Sequence, residues 1–118
     1  MNARGAGASV AALERLLAAG KDGALLRFGL GNGYLGAGDP ARAVEHLRRA
    51  LAFDPGYSAA WKLLGKALFA SGQEAAALAA YRDGMAAADK RGDKQAFKEM
   101  QVFARRLARQ LDLSLIHI

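Results

Sequence analysis

The apolar residues of this chain recur at three- and four-residue steps, the spacing that gathers them on one face of an α-helix. Leu13, Leu16 and Leu17 form one such stripe, Val44, Leu47 and Leu51 a second, and Trp61, Leu64 and Leu68 a third. The longest joins Phe97, Met100, Ala104, Leu107 and Leu111. Turn-forming clusters separate the stripes at Gly20–Gly23, Gly36–Pro40, Asp54–Gly56, Ser71–Gly72 and Arg91–Asp93. Capping residues stand where the stripes begin and end. Asp39 precedes Pro40, which suits the first helical position because no N–H is needed there. Ser9 and Asp93 are placed to cap two more helices, Gly20 and Gly72 to end two in a left-handed turn, and Asp54-Pro55 to stop another. The pattern predicts six helices, over residues 9–19, 23–36, 40–53, 57–71, 74–89 and 93–111. Connections of about two to five residues make neighbouring helices antiparallel.

Composition narrows the fold to one class. Alanine fills 28 of 118 positions, proline only two, and cysteine none, so helix formers dominate and sheet formers are scarce. The expectation is a single all-α domain. Without cysteine there is neither a disulfide framework nor a thiolate metal site. No apolar run reaches the ~18 residues of a membrane span, and residues 1–8 lack the apolar core of a secretory signal. A cytoplasmic protein with an unstructured start over residues 1–8 is therefore expected.

The chain also resembles itself. A shift of 34 residues aligns Leu30 with Leu64, Gly31 with Gly65, Tyr34 with Leu68 and Gly38 with Gly72. It further aligns Ala43 with Ala77, Leu47 with Tyr81 and Ala50 with Gly84. Small residues meet small ones and large apolar residues meet large ones, as two helix pairs built alike require. The second copy reads Trp61-x2-Leu64-Gly65-x2-Leu68, then Ala77-x3-Tyr81 and Gly84. The first reads Leu30-Gly31-x2-Tyr34, then Ala43-x3-Leu47-x2-Ala50 and Pro55.

These two segments resemble the tetratricopeptide repeat (TPR) family. Two positions depart from its pattern: Arg27 stands where the first repeat carries Trp, and Asp89 where the second carries Pro. The resemblance implies antiparallel helix-turn-helix repeats stacked in a right-handed superhelix, an α-solenoid. Repeat one then spans 24–57 and repeat two 58–91, between an N-terminal helix over 9–22 and a capping helix over 92–112. Small residues at 31, 43, 50, 65, 77 and 84 let helices approach, and the stacked pairs bury one another's apolar faces.

Chemistry is sparse. His46 has no carboxylate partner in any motif and reads as a surface or half-buried helix histidine. Two distant histidines do not assemble a metal site. Gly29-x-Gly31-x-Gly33 neither follows a strand nor opens a helix, so it is not a phosphate loop. No catalytic residue, cofactor or metal is expected. What remains is surface, and the resemblance implies that the first helix of each repeat lines a concave groove for a partner peptide or helix. By repeat position the groove carries Leu25, Phe28, Asn32 and Leu35, then Ala59, Lys62, Lys66 and Phe69. Asn32, Lys62 and Lys66 are similar to part of the carboxylate clamp with which some members hold acidic C-termini, although Phe28 replaces its first lysine. The plainer reading is two solvated lysines beside a structural asparagine. Phe28, Leu35 and Phe69 around those lysines favour a peptide of mixed apolar and acidic character.

Charge adds one more candidate surface. The net +6 is concentrated in residues 90–109, where seven basic side chains face two acidic ones. Lys94, Lys98, Arg105, Arg106 and Arg109 carry most of it. The helix they occupy reads as a solvated cap, as a contact for nucleic-acid phosphates, or as the seat of an acidic protein partner. Beyond it, Leu113–Ile118 follows no helical period and matches one translated frame of a transposase mosaic end used in sequencing adapters. Adapter read-through is expected there, which removes His117 from any site; the alternative is a genuine short apolar tail docked on the last helix.

Overall fold

The computed structural model describes the backbone of residues 2–116 and the side chains of residues 10–112. Six helices follow one another: α1 (Asn2–Ala18), α2 (Ala24–Gly36), α3 (Pro40–Phe53), α4 (Ser58–Ala70), α5 (Glu74–Arg91) and α6 (Lys94–Ile116). The described residues contain no strand. The all-α expectation and the count of six hold. Local chemistry accounts for the boundaries. Asp39 Oδ1 accepts from the Arg42 N–H at 3.1 Å and opens α3 ahead of Pro40. Asp93 Oδ1 accepts from the Ala96 N–H at 3.1 Å at the start of α6. Gly38 and Gly72, equivalent by the 34-residue shift, take φ of +83° and +79° after α2 and α4, a conformation that costs glycine nothing.

Three ends differ from expectation. Residues 2–8, expected to be unstructured, continue α1 back to Asn2, where Ala3, Ala6 and Ala8 are strong helix formers. Met1 lies outside the described residues. α5 runs to Arg91 because Asp89, unlike the proline it replaces, keeps its N–H; Gly92 at φ +77° then ends the helix. α6 continues past residue 111 to Ile116, and His117 and Ile118 lie outside the described residues.

Successive helices pack in antiparallel pairs, closest between α2 and α3, α4 and α5, and α5 and α6. Glycines set the approach. A Cβ on Gly31 would lie 2.5 Å from Leu47 Cγ, and one on Gly65 would lie 2.5 Å from Tyr81 Cζ. A Cβ on Gly84 would meet both Met100 Sδ at 2.5 Å and Trp61 Cβ at 2.6 Å. Leu30, Leu47, Leu64, Leu68 and Met100 fill the space around these crossings and are fully buried.

The helices form two layers. α2 touches α4, and α4 touches α6, whereas among the described residues no such contact joins α1, α3 and α5. The even-numbered helices therefore crowd the inner side of a curved stack. The outer helices of the chain repeat the same scheme. Shifting α3 back by 34 residues places Val10, Leu13 and Leu17 at the positions of Val44, Leu47 and Leu51. Leu13 and Val10 also crowd Gly29 and Gly33 of α2. Shifting α4 forward by 36 places Ala96, Phe97 and Met100 at the positions of Ala60, Trp61 and Leu64. α1 is thus the second helix of one half-repeat and α6 the first helix of another, around the two full repeats.

Arg27 shows how the first departure from the pattern is absorbed. Trp61 Nε1 donates to the Pro55 carbonyl at 2.7 Å. In the equivalent slot Arg27 donates to Asp22 Oδ1 at 2.7 Å and Oδ2 at 2.9 Å, and its Nη1 lies 3.1 Å from His46 Nδ1. His46 stacks on Tyr34 at 5.4 Å, and the Tyr34 hydroxyl donates to Glu14 Oε2 at 2.6 Å. This polar seam ties α1, α2 and α3 together.

Candidate interaction surface

The inner layer presents the first-helix positions to the concave side. Leu25 on the first turn of α2 is 76% exposed, Phe69 on the last turn of α4 is 48% exposed, and Val102 on α6 is 55% exposed. Phe28 is half-buried because its ring stacks on Tyr57 at 5.0 Å. Leu35 is half-buried as well, while Asn32 and Lys66 are exposed.

Lys62 and Lys66 do not act as an equal pair. Lys62 Nζ donates to Glu99 Oε1 at 2.8 Å, a bridge from α4 to α6. This lysine holds the Glu99 carboxyl below its ordinary value. Lys66, one turn on, forms no ion pair among the described residues. Of the three residues similar to a carboxylate clamp, Asn32 and Lys66 are left unengaged and Lys62 is occupied.

One cleft of the surface lies between α4, α5 and α6. A cavity of about 200 Å³ is lined by Lys66, Phe69, Tyr81, Phe103, Arg106 and Leu107. Tyr81 and Phe103 stack at 5.4 Å with 16° between their planes. Arg106 folds over Phe103, its guanidinium carbon 5.9 Å from the ring centroid. The sequence pattern put Phe69 and Lys66 in the groove, but it left Phe103 out of it and made Tyr81 a helix-packing residue of the repeat. The 36-residue offset between α4 and α6 is the signal that brings α6 into the inner layer.

The basic residues of α6 divide into two groups. At about 100° per residue, Lys94, Lys98, Arg105 and Arg109 fall within one narrow sector. Ala96, Met100, Ala104 and Leu107 hold the opposite, buried side. The four cations form an exposed stripe on the outer end of the stack. Arg106 turns away from them towards the groove cavity. No group of three or more His, Cys, Asp or Glu side chains among the described residues is placed to hold a metal ion. No described helix is long and apolar enough to cross a membrane.

Comparison with known proteins agrees with this architecture. Two family profiles described as tetratricopeptide repeat match residues 34–99 and 1–58. The chain is 61% identical over 97 residues to the TPR repeat-containing protein PA0015 of Pseudomonas aeruginosa, a match that covers 82% of this chain and 92% of that protein. The solution structure of protein BPP2914 from Bordetella parapertussis superposes with a TM-score of 0.79 at 51% identity, over 92% of this chain and 94% of that one. The profiles and the sequence relative place the chain in the tetratricopeptide repeat family, whose repeats generally mediate protein–protein interaction.

Proposed function

We propose that the chain is a non-catalytic interaction module of the cytoplasm that holds a peptide or helix of a partner protein in the groove of α2, α4 and α6. The observation that carries this reading is the exposure of Leu25, Phe69 and Val102 on that one layer. Three of the five exposed large apolar side chains of the described residues lie on this inner layer, and apolar side chains held in water on a concave surface mark a contact site. Lys66 and Arg106 beside them add positive charge, so the peptide is of mixed apolar and acidic character. A photocrosslinking residue at Phe69 should capture a polypeptide in cells of the source organism, whereas one at the exposed Arg48 of α3 should not. Capture only from position 48 overturns the groove assignment.

The cationic stripe of Lys94, Lys98, Arg105 and Arg109 favours a second reading, contact with an acidic partner or nucleic acid through α6. It predicts retention on DNA resin that disappears at modest salt and in the variant with all four residues changed to Glu. Flow-through of the unaltered protein at low salt counts against nucleic acid.

A further inference from the structure

Tyr81 is 2% exposed, yet no hydrogen bond reaches its hydroxyl among the described residues. Burial alone pushes the phenol up to about 12. The hydroxyl is not sealed from solvent: Ser58 Oγ is the sealed and unpartnered side-chain oxygen of the described residues. Tyr81 rises from α5 across Gly65, whose added Cβ would fall 2.5 Å from Cζ, and lines the cavity between α4 and α6. The cavity is an apolar well with Tyr81 in its lining. Phe69, Phe103 and Leu107 give its apolar lining, and its polar rim carries Lys66, Arg106 and Gln110. Neither rim cation has an ion-pair partner among the described residues.

Each part of the well restricts what enters it. A hydroxyl that no protein group engages can exchange its water for a ligand oxygen, a net gain of one hydrogen bond. Apolar cavities of about 150 Å³ hold a benzene ring, so one of about 200 Å³ has room for an aromatic side chain. Offset or edge contacts with Phe103 and Phe69 reward a ring more than an aliphatic chain. The rim offers donors and positive charge, which pair with carboxylates close to the inserted residue.

We infer that the well anchors a tyrosine of an acidic peptide, with its ring between Phe69 and Phe103 and its hydroxyl on the Tyr81 oxygen. Carboxylates next to that tyrosine pair with Lys66 and Arg106. Phenylalanine fills the same space and leaves Tyr81 unmatched, and leucine loses the ring contacts. This assignment rests on the groove reading above and names the occupant of the cavity between α4, α5 and α6.

The test titrates the full chain with short acetylated and amidated peptides that carry a central Tyr between Glu and Asp residues, so that no terminal carboxylate contributes. Partner peptides place Phe or Ala at the centre, or Gln and Asn in the flanks. The Ala peptide is expected to bind roughly tenfold more weakly or worse. The Phe peptide should be about three- to tenfold weaker, the worth of one hydrogen bond. Neutral flanks should weaken binding and remove most of its salt dependence. Tyr81→Phe should abolish the preference for Tyr over Phe while melting at an unchanged or higher temperature, because its lost hydroxyl had no partner. Equal binding of the Tyr and Phe peptides, or a preference that survives Tyr81→Phe, overturns the assignment, as does the absence of binding by every peptide. Amide chemical shifts separate the two levels of the argument. Changes confined to α2 overturn the well and leave the groove, whereas changes confined to α1 and α3 overturn both.

Discussion

Glycines and one histidine carry the sharpest consequences at the scale of single residues. Gly65→Ala would thrust a methyl group onto the edge of the Tyr81 ring, which is itself wedged against Phe103. The crossing must open or Tyr81 must leave its rotamer, at a cost of about 1–3 kcal/mol. Gly36→Ala, near the end of α2 with nothing within 4 Å of the added Cβ, should be neutral or gain about 0.5–1 kcal/mol from the stiffer unfolded chain. Chemical denaturation of both variants checks the contrast; equal effects would contradict the close approach at Gly65. His46 sets a pH dependence of a definite sign. Burial, and then the Arg27 guanidinium beside it, lower its pKa despite Glu14, Glu45 and Asp22 nearby. The folded chain thus binds the imidazole proton less readily than the unfolded chain. Its contribution is complete above the ordinary histidine value of about 6.5 and declines as pH falls through that value towards the lowered one. Melting temperatures of the wild type and His46→Gln, compared between pH 8 and pH 5, should converge on acidification. Parallel curves would show that the ring titrates normally in the fold.

At the scale of elements, the same side chain has a different worth in a full repeat and in a half-repeat. Leu16 of α1 occupies the position of Ala50 and Gly84; Ala50 is fully buried, and Gly84 lies against Trp61 on the first helix of its own repeat. α1 has no such partner among the described helices, so Leu16 is 46% exposed. Leu16→Ala should therefore change stability by no more than about 0.5 kcal/mol. Leu47→Ala, at a fully buried position against Gly31, should cost about 2–5 kcal/mol. A large loss at Leu16 in thermal unfolding would mean that its exposed face is covered. The 34-residue spacing made α2 to α5 legible in the sequence, because Gly31, Ala43, Gly65 and Ala77 mark helix crossings directly. It hid the role of α6, since the longer α5 and its turn add two residues and move the equivalent positions to an offset of 36. The groove was legible only in part for the same reason. Periodicity places Lys62 and Lys66 on one face, but the bridge from Lys62 to Glu99 depends on how α6 sits beside α4. The hydroxyl of Tyr81 was invisible as a site because the repeat explains its ring as core.

Across the whole molecule, stability follows the stack. Each helix pair buries its apolar face on its neighbours, so an interior pair is held from two sides and a terminal helix from one. α3 and α4 are interior, and α4 also touches α2 and α6 in the inner layer. α6 packs on α5 and is bridged to α4 through Glu99 and Lys62, which gives that end two attachments. α1 packs on α2, and its described side chains contribute nothing to the fully buried core; Val10, Leu13 and Leu17 are only partly covered. The Tyr34–Glu14 hydrogen bond is its main polar tie. Local opening should then be graded along the chain rather than uniform. Amide hydrogen exchange is expected to be slowest in α3 and α4, faster in the described part of α6 and fastest in α1. Glu14→Gln keeps a carbonyl oxygen to accept from Tyr34 but removes the charge, so it should speed exchange in α1 while leaving α4 and α5 unchanged. Equal protection of α1 and α4, or a loss that spreads to α5 in Glu14→Gln, would show that the six helices open as one cooperative block and not as a stack with a loose end.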